Sequence, residues 1–169
     1  MGKIVAHSRG VDIQKIGSGN IGFANVTRNL DWSAGWKVLL FDVLKGFIPS
    51  ILAVQYLHTN MIYVVGLAAI AGHLFPVWLK FKGGKGIATG FGSTLAFVPY
   101  IAISGILVYV LAYVVFRKSA VSSLFAAWSM PAFAFFINQS YPILYLVALA
   151  VIAALTHRKN IKDLIKEKW

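Results

Sequence analysis

Long apolar runs separated by short polar breaks organise this chain. Ala34 to Leu57 is the first clear run, closed by His58-Thr59-Asn60. Met61 to Leu79 follows and gives way to a basic, glycine-rich stretch, Lys80-Phe81-Lys82-Gly83-Gly84-Lys85-Gly86. Ile87 to Val98 is apolar but short, roughly 18 Å of helix at about 1.5 Å per residue, which predicts a half-depth helix ending near Pro99. Tyr100 to Phe116, Ala120 to Ile137 and Tyr141 to Thr156 are the remaining runs. Arg117-Lys118 and Asn138-Gln139-Ser140 part them, and His157 opens a polar tail. A bilayer core takes about 20 apolar residues per helix, fewer where a helix is broken or buried in protein. The pattern therefore predicts an all-α, polytopic transmembrane bundle of about six helices, one of them short or half-depth. Residues 1–169 are expected to form a single integral membrane domain.

Composition supports the bilayer as solvent. Apolar residues make up 59% of the chain and charged residues 12%, against about 25% charged in soluble domains. The net charge of +11 would suit nucleic acid on a soluble protein, but here the cations sit between apolar runs. If Arg28 lies inside, crossing at each run puts Lys80, Lys82, Lys85, Arg117, Lys118, Arg158 and Lys159 on that same side. The opposite breaks, at 58–60, 97–99 and 138–140, carry no Lys or Arg. That asymmetry is the positive-inside signature. It predicts cytoplasmic glycine-rich loops and membrane lipids, not nucleic acid, as the surroundings. Met1-Gly2-Lys3 opens a mixed segment without the apolar core of a signal peptide. With no cysteine, neither a disulfide framework nor a thiolate zinc site is expected, and the four histidines show no metal-ligand spacing.

Three polar islands hold the candidate chemistry. The first contains Gly17, Gly19 and Gly22 in G-x-G-x-x-G spacing, without the buried strand and downstream acid that a dinucleotide fingerprint needs. Glycines let backbone N–H groups converge on an anion, and Ser18, Asn20, Asn25 and Arg28 add donors around them; a plain flexible linker is the other reading. The second island, Gly72 to Thr89, lacks P-loop spacing. Gly83-Gly84-Lys85-Gly86 directly before a helix still predicts an anion site, since free N–H groups and the helix dipole point at whatever sits there. A basic turn facing lipid headgroups is the alternative. His73 reads as a satisfied packing residue. The third island is His157-Arg158-Lys159-Asn160, where a continuing helix would set His157 and Asn160 on one face. Asp42 and Lys45, three apart within the first run, read as an internal ion pair that lines the site or is purely structural.

Taken in order, these islands resemble the acyl-phosphate:glycerol-3-phosphate acyltransferase family of bacterial phospholipid synthesis. The resemblance rests on Val11-Asp12-Ile13, Gly17 to Gly22, Asn25-Val26 with Arg28, and Asp42 with Lys45-Gly46. It continues through Gly72-His73-Leu74-Phe75-Pro76-Val77, Phe81 to Gly86 with Ala88-Thr89, and His157-Arg158 with Asn160-Ile161. It implies an acyltransferase in the bacterial inner membrane that faces the cytoplasm. The enzyme would move an acyl group from acyl phosphate to the 1-hydroxyl of glycerol 3-phosphate and release lysophosphatidic acid. No cofactor is implied, and the enzyme that makes acyl phosphate enters as a partner. Ser18, Arg28, Lys85, His157 and Asn160 carry over as catalytic. Gly17, Gly19, Asn20, Asn25, Lys45, Lys82, Gly83, Gly84, Gly86, Arg117 and Ser119 carry over as substrate- or phosphate-binding.

This chain departs from the family pattern in three places. Members of the family are expected to begin with one more apolar helix ending in a Gly-Ser-x-Pro turn, and this sequence begins after that point. Phe23-Ala24 stands where Ala-Thr is usual, and the motif glutamate after Asn160-Ile161 finds only Glu167, with Trp169 last. A small membrane transporter of phosphorylated or lipid substrates and an inactive membrane homologue are the competing readings.

Overall fold

The computed structural model of the chain describes residues 1–137 and 143–166. The break 138–140, the start of the last run at Tyr141, and Glu167 and Trp169 lie outside the described residues. All regular structure among those residues is helical: α1 Gly2–His7, α2 Phe23–Asn29, α3 Trp32–Tyr56, α4 Thr59–Leu74, a 3-10 turn Val77–Leu79, α5 Ile87–Phe97, α6 Pro99–Phe116, α7 Ser119–Ile137, α8 Ile143–Thr156 and α9 Arg158–Lys166. Trp32–Tyr56, Met61–Leu79, Pro99–Phe116 and Ser119–Ile137 are each long and apolar enough to cross a membrane, and α8 with α9 qualifies as a pair bent by 59°. With the 11-residue α5, these are the expected six apolar segments, one of them short. The helices group into two compact units, Met1–Ala96 and Phe97–Trp169.

The first unit is built around α3. Its N-cap, Asp31, accepts a hydrogen bond from the Ala34 N–H at 2.8 Å and also pairs with Arg9, so one carboxylate fixes both the helix start and the preceding chain. The polar island before it is less of a loop than its composition suggests. Ala6 of α1, Ile13, Ile21, Val26 of α2, and Ala34 and Val38 of α3 close a small apolar core, which anchors the glycine-rich segment from beneath. Helix α4 stops at Leu74, short of the expected Leu79. Phe75 precedes Pro76 and takes φ −123°, ψ 53°, because a residue before proline is pushed out of the helical region. The chain then turns through Val77–Leu79 and two left-handed residues, Lys80 (φ 52°) and Phe81 (φ 61°). Helices α3 and α5 touch through glycine: a Cβ on Gly46 would strike the Thr89 carbonyl, and one on Gly92 the Val43 carbonyl. Small residues at such a crossing let two backbones approach, the usual means of helix association in lipid.

In the second unit, Pro99 opens α6 at its first position, where its missing N–H costs nothing. Arg117 ends α6 in the left-handed conformation, φ 54°. Gly105 of α6 seats the Met130 side chain of α7. Tyr145, Leu146, Leu149, Ala150 and Ala153 form the buried stripe of α8 at helical spacing. Large apolar side chains stay open, Val115 at 72% and Leu144 at 87% exposure, as a surface solvated by acyl chains requires.

Candidate active site

In the first unit the glycine-rich segment is shaped by Asn25. Its Nδ2 donates among the carbonyls of Ile13 (3.2 Å), Ile16 (3.2 Å) and Asn20 (2.8 Å). Its Oδ1 accepts from the Ser18 N–H at 2.9 Å and from Asn29 Nδ2 at 3.0 Å. Gly17 and Gly19 sit at φ 56° and 70°, a conformation that side-chain-bearing residues avoid. At Gly17 a Cβ would also run into Asn25 Oδ1 and Asn29 Nδ2. Asn25 is thus buried and fully occupied in folding the loop. Asn20 spends its Oδ1 on the Gly22 N–H at 2.7 Å. Ser18 and Arg28 remain exposed and can reach a ligand, Arg28 from the last turn of α2.

The second glycine segment closes back on the end of α4. Gly83 donates its N–H to the Leu74 carbonyl at 3.0 Å and Gly84 to the His73 carbonyl at 3.2 Å, satisfying two acceptors that a helix C-terminus leaves open. These glycines therefore contribute shape to an anion site, with their N–H groups committed to the helix. The donors that remain are one turn on. Gly86, at φ 81°, gives its carbonyl to the Gly90 N–H at 2.7 Å and so starts α5, whose first N–H groups have no intrahelical acceptor by position. Gln14 ties the two segments together: its Nε2 donates to the Lys82 carbonyl at 3.1 Å while its Oε1 accepts from Lys3 Nζ at 2.9 Å. Nothing in the sequence pattern singled out Gln14, because only the folded loop puts residue 82 beside it.

Charge converges where these segments meet. Burial first, and the Arg28 guanidinium second, lower the Lys85 pKa from its usual value to about 8, so Arg28 lies within electrostatic reach of the lysine that precedes α5. The carboxylates of this unit are engaged elsewhere: Asp12 with Lys15 at 3.9 Å, Asp31 with Arg9, and Asp42 with Lys45 at 2.6 Å. Lys45 is accordingly an ion-pair partner of buried Asp42, and Lys82 stands exposed beside the loop.

In the second unit Arg117 is exposed at the α6–α7 turn, and Ser119 shares a 2.9 Å hydrogen bond with Tyr109 Oη. His157 occupies the bend between α8 and α9, so the condition for His157 and Asn160 to share one straight helix is not met. His157 is buried, and its Nδ1 lies 2.8 Å from the Ala153 carbonyl. A carbonyl only accepts, so Nδ1 carries a proton in that bond.

Long apolar helices joined by basic, glycine-rich loops define an integral membrane protein. The chain belongs to the glycerol-3-phosphate acyltransferase family, whose model matches residues 1–167. It is 39% identical over 169 residues to the glycerol-3-phosphate acyltransferase of Aquifex aeolicus, covering 97% of this chain and 87% of that one. To the Myxococcus xanthus protein of the same name it is 44% identical over 161 residues, covering 94% and 84%. The crystal structure of PlsY (YgiH), an integral membrane glycerol 3-phosphate acyltransferase, in its glycerol 3-phosphate form superposes with a TM-score of 0.93 at 35% identity, covering 98% of this chain and 84% of that one. The lysophosphatidic acid form gives 0.91, also at 35% identity, covering 99% and 85%.

Proposed function

We propose that this protein transfers an acyl group from acyl phosphate to the 1-hydroxyl of glycerol 3-phosphate, in the bacterial inner membrane, with its basic loops on the cytoplasmic side. The family match along nearly the whole chain supports the reaction class. The observation that carries the site is the convergence of Lys85 and Arg28 over the start of α5. Each phosphate brings about −1.5 to −2 charge near neutral pH, so a site for phosphate esters needs more than one cation within reach of the ligand. The uneven distribution of Lys and Arg among the loops supports the orientation.

Acyl phosphate is already activated, so positioning and charge stabilisation do most of what is required. The glycerol hydroxyl attacks the acyl carbon, the ester C–O bond forms, the acyl–phosphate bond breaks, and phosphate leaves with the electron pair. Lys85 and the first N–H groups of α5 hold one phosphate; Arg28 and Ser18 clamp the other substrate, with Gly17, Gly19, Asn20 and Asn25 shaping their loop and Gly83, Gly84 and Gly86 shaping that of Lys85. The family resemblance also assigns roles to Arg117, Ser119, His157 and Asn160 of the second unit. His157 and the departing phosphate are the two candidates to accept the hydroxyl proton, and His157→Ala at saturating substrate separates them.

The test is purified protein in lipid with acyl phosphate and labelled glycerol 3-phosphate. Labelled lysophosphatidic acid should form from acyl phosphate and not from acyl-CoA. The rate should fall at least ~100-fold in Lys85→Ala, about 2.7 kcal/mol of transition-state stabilisation. Absence of product from folded wild-type protein overturns the proposal.

A further inference from the structure

His73 fulfils only half of what its sequence context suggests. It is buried, with 4% of its side chain exposed, but Nδ1 has no hydrogen-bond partner among the described residues. That nitrogen faces Asp42 Oδ1 at 3.8 Å, beyond hydrogen-bond length, and the same oxygen is held by Lys45 Nζ at 2.6 Å. The other edge of the ring lies directly under the glycine segment. A Cβ added to Gly84 would collide with the imidazole at Nε2, and would approach Cε1 to 2.8 Å and Cδ2 to 3.1 Å. Gly84 is not in the left-handed region, where Gly10, Gly17, Gly19 and Gly86 are found. What position 84 demands is therefore space, and the His73 ring takes that space. The backbone of His73 adds a second hold, through its carbonyl and the Gly84 N–H at 3.2 Å.

We propose that His73 is a positioning residue: wedged between Asp42 and Gly84, its ring sets the path of residues 83–85 and thereby presents Lys85 at the start of α5. This rests on the reading of Lys85 as a phosphate ligand. The Asp42 carboxylate favours the tautomer with the proton on Nδ1, as acidic neighbours orient histidines elsewhere. Lys45 offsets the charge of Asp42 and keeps that oxygen in place. One buried ring thus connects the ion pair on α3 to the cation loop.

The experiment compares His73→Phe, which keeps a ring but no nitrogen, His73→Ala, and His73→Asn, whose amide replaces the donor that faces Asp42. Two readouts are taken in lipid: KM and kcat for both substrates, and the midpoint of Lys85 amine labelling against pH, read by mass spectrometry. His73→Ala and His73→Asn, which remove the ring, should raise at least one KM by about tenfold or more while kcat changes less, and should move the Lys85 midpoint toward that of an ordinary lysine. His73→Phe, which keeps a ring against Gly84, should stay within about threefold of wild type in KM, with the Lys85 midpoint unmoved. An unchanged Lys85 midpoint in both His73→Ala and His73→Asn overturns the proposal, and so does His73→Phe proving as damaging as His73→Ala. If His73→Phe fails to fold, His73→Gln, of similar volume to histidine, replaces it with the same expectation. Should the wild type form no product, the acyl-transfer reading fails by itself, and the Lys85 labelling still decides the role of His73.

Discussion

The two units treat buried polar atoms in opposite ways. In residues 97–169 the hydroxyls of Ser104, Ser122, Ser123, Ser129 and Thr156 each donate to a carbonyl one turn back in their own helix. Such a hydroxyl asks nothing of its surroundings, which is what a helix in lipid requires. The first unit has the same device at Ser93 and Thr94, both bonded to the Gly90 carbonyl. Yet it also holds Thr27 Oγ1, Ser50 Oγ, Thr89 Oγ1 and His73 Nδ1, which are buried with no partner among the described residues. Each such atom costs roughly 1–3 kcal/mol. A helical hairpin selected only for stability would shed them. Among the described residues they concentrate in 1–96, His73 under the Lys85 loop and Thr89 at the α3–α5 crossing, which marks a unit whose geometry is not set by stability alone.

The sharpest way to break this contrast is Asn25→Ala. Five hydrogen bonds converge on that side chain, and removing it should cost on the order of 3 kcal/mol, seen as a lower thermal midpoint, with acyl transfer reduced by ~100-fold or more. Asn25→Asp keeps the acceptor and loses the donors, so its defect should be nearly as large.

A smaller, graded effect follows from Lys85. Its cation is disfavoured, first by burial and then by Arg28, so the charge is lost as pH rises through about 8. The KM of the phosphate substrate it holds should therefore climb by up to about tenfold per pH unit above that point. In Lys85→Arg the step should vanish across the same range. Stability of the substrate-free protein should run the other way. Between pH 8 or so and the usual lysine value the unfolded chain binds more protons than the folded one, so the melting temperature should rise across that window.

Smallest of all should be Ser122→Ala in the second unit. Its hydroxyl is satisfied one turn back by the Lys118 carbonyl, at the mouth of α7, and both stability and activity should stay within about 0.5 kcal/mol of wild type. A large loss there would erase the distinction between the units.

The contrast also explains what could be read from the chain alone. Apolar runs and their breaks located α3, α5, α6 and α7 to within a residue or two, because in a bilayer length and hydropathy dominate every other preference. The run Met61–Leu79 is one candidate span as read, and within it the α-helix ends at Leu74, where the steric rule before Pro76 interrupts a run that continues past it. The short α1 and α2 were missed because their apolar anchors, Ile13 and Ile21 among them, are scattered through a polar island. At the site, residue types were legible and directions were not. Gly83 and Gly84 announce a close approach, but no pattern says that their neighbours are the carbonyls of Leu74 and His73. Asn25 announces a donor, and only the folded loop shows that its donors serve the backbone.

The tight connection between α6 and α7 bears on how the chain enters the membrane. Just Arg117 and Lys118 separate the two helices, and the left-handed Arg117 reverses the chain within that space. Neighbouring helices joined so closely find each other early and with little loop-closure entropy. Two positive charges at the turn resist translocation. During synthesis α6 and α7 would therefore partition into the bilayer together as a hairpin, a paired unit in place before α8 has left the exit tunnel.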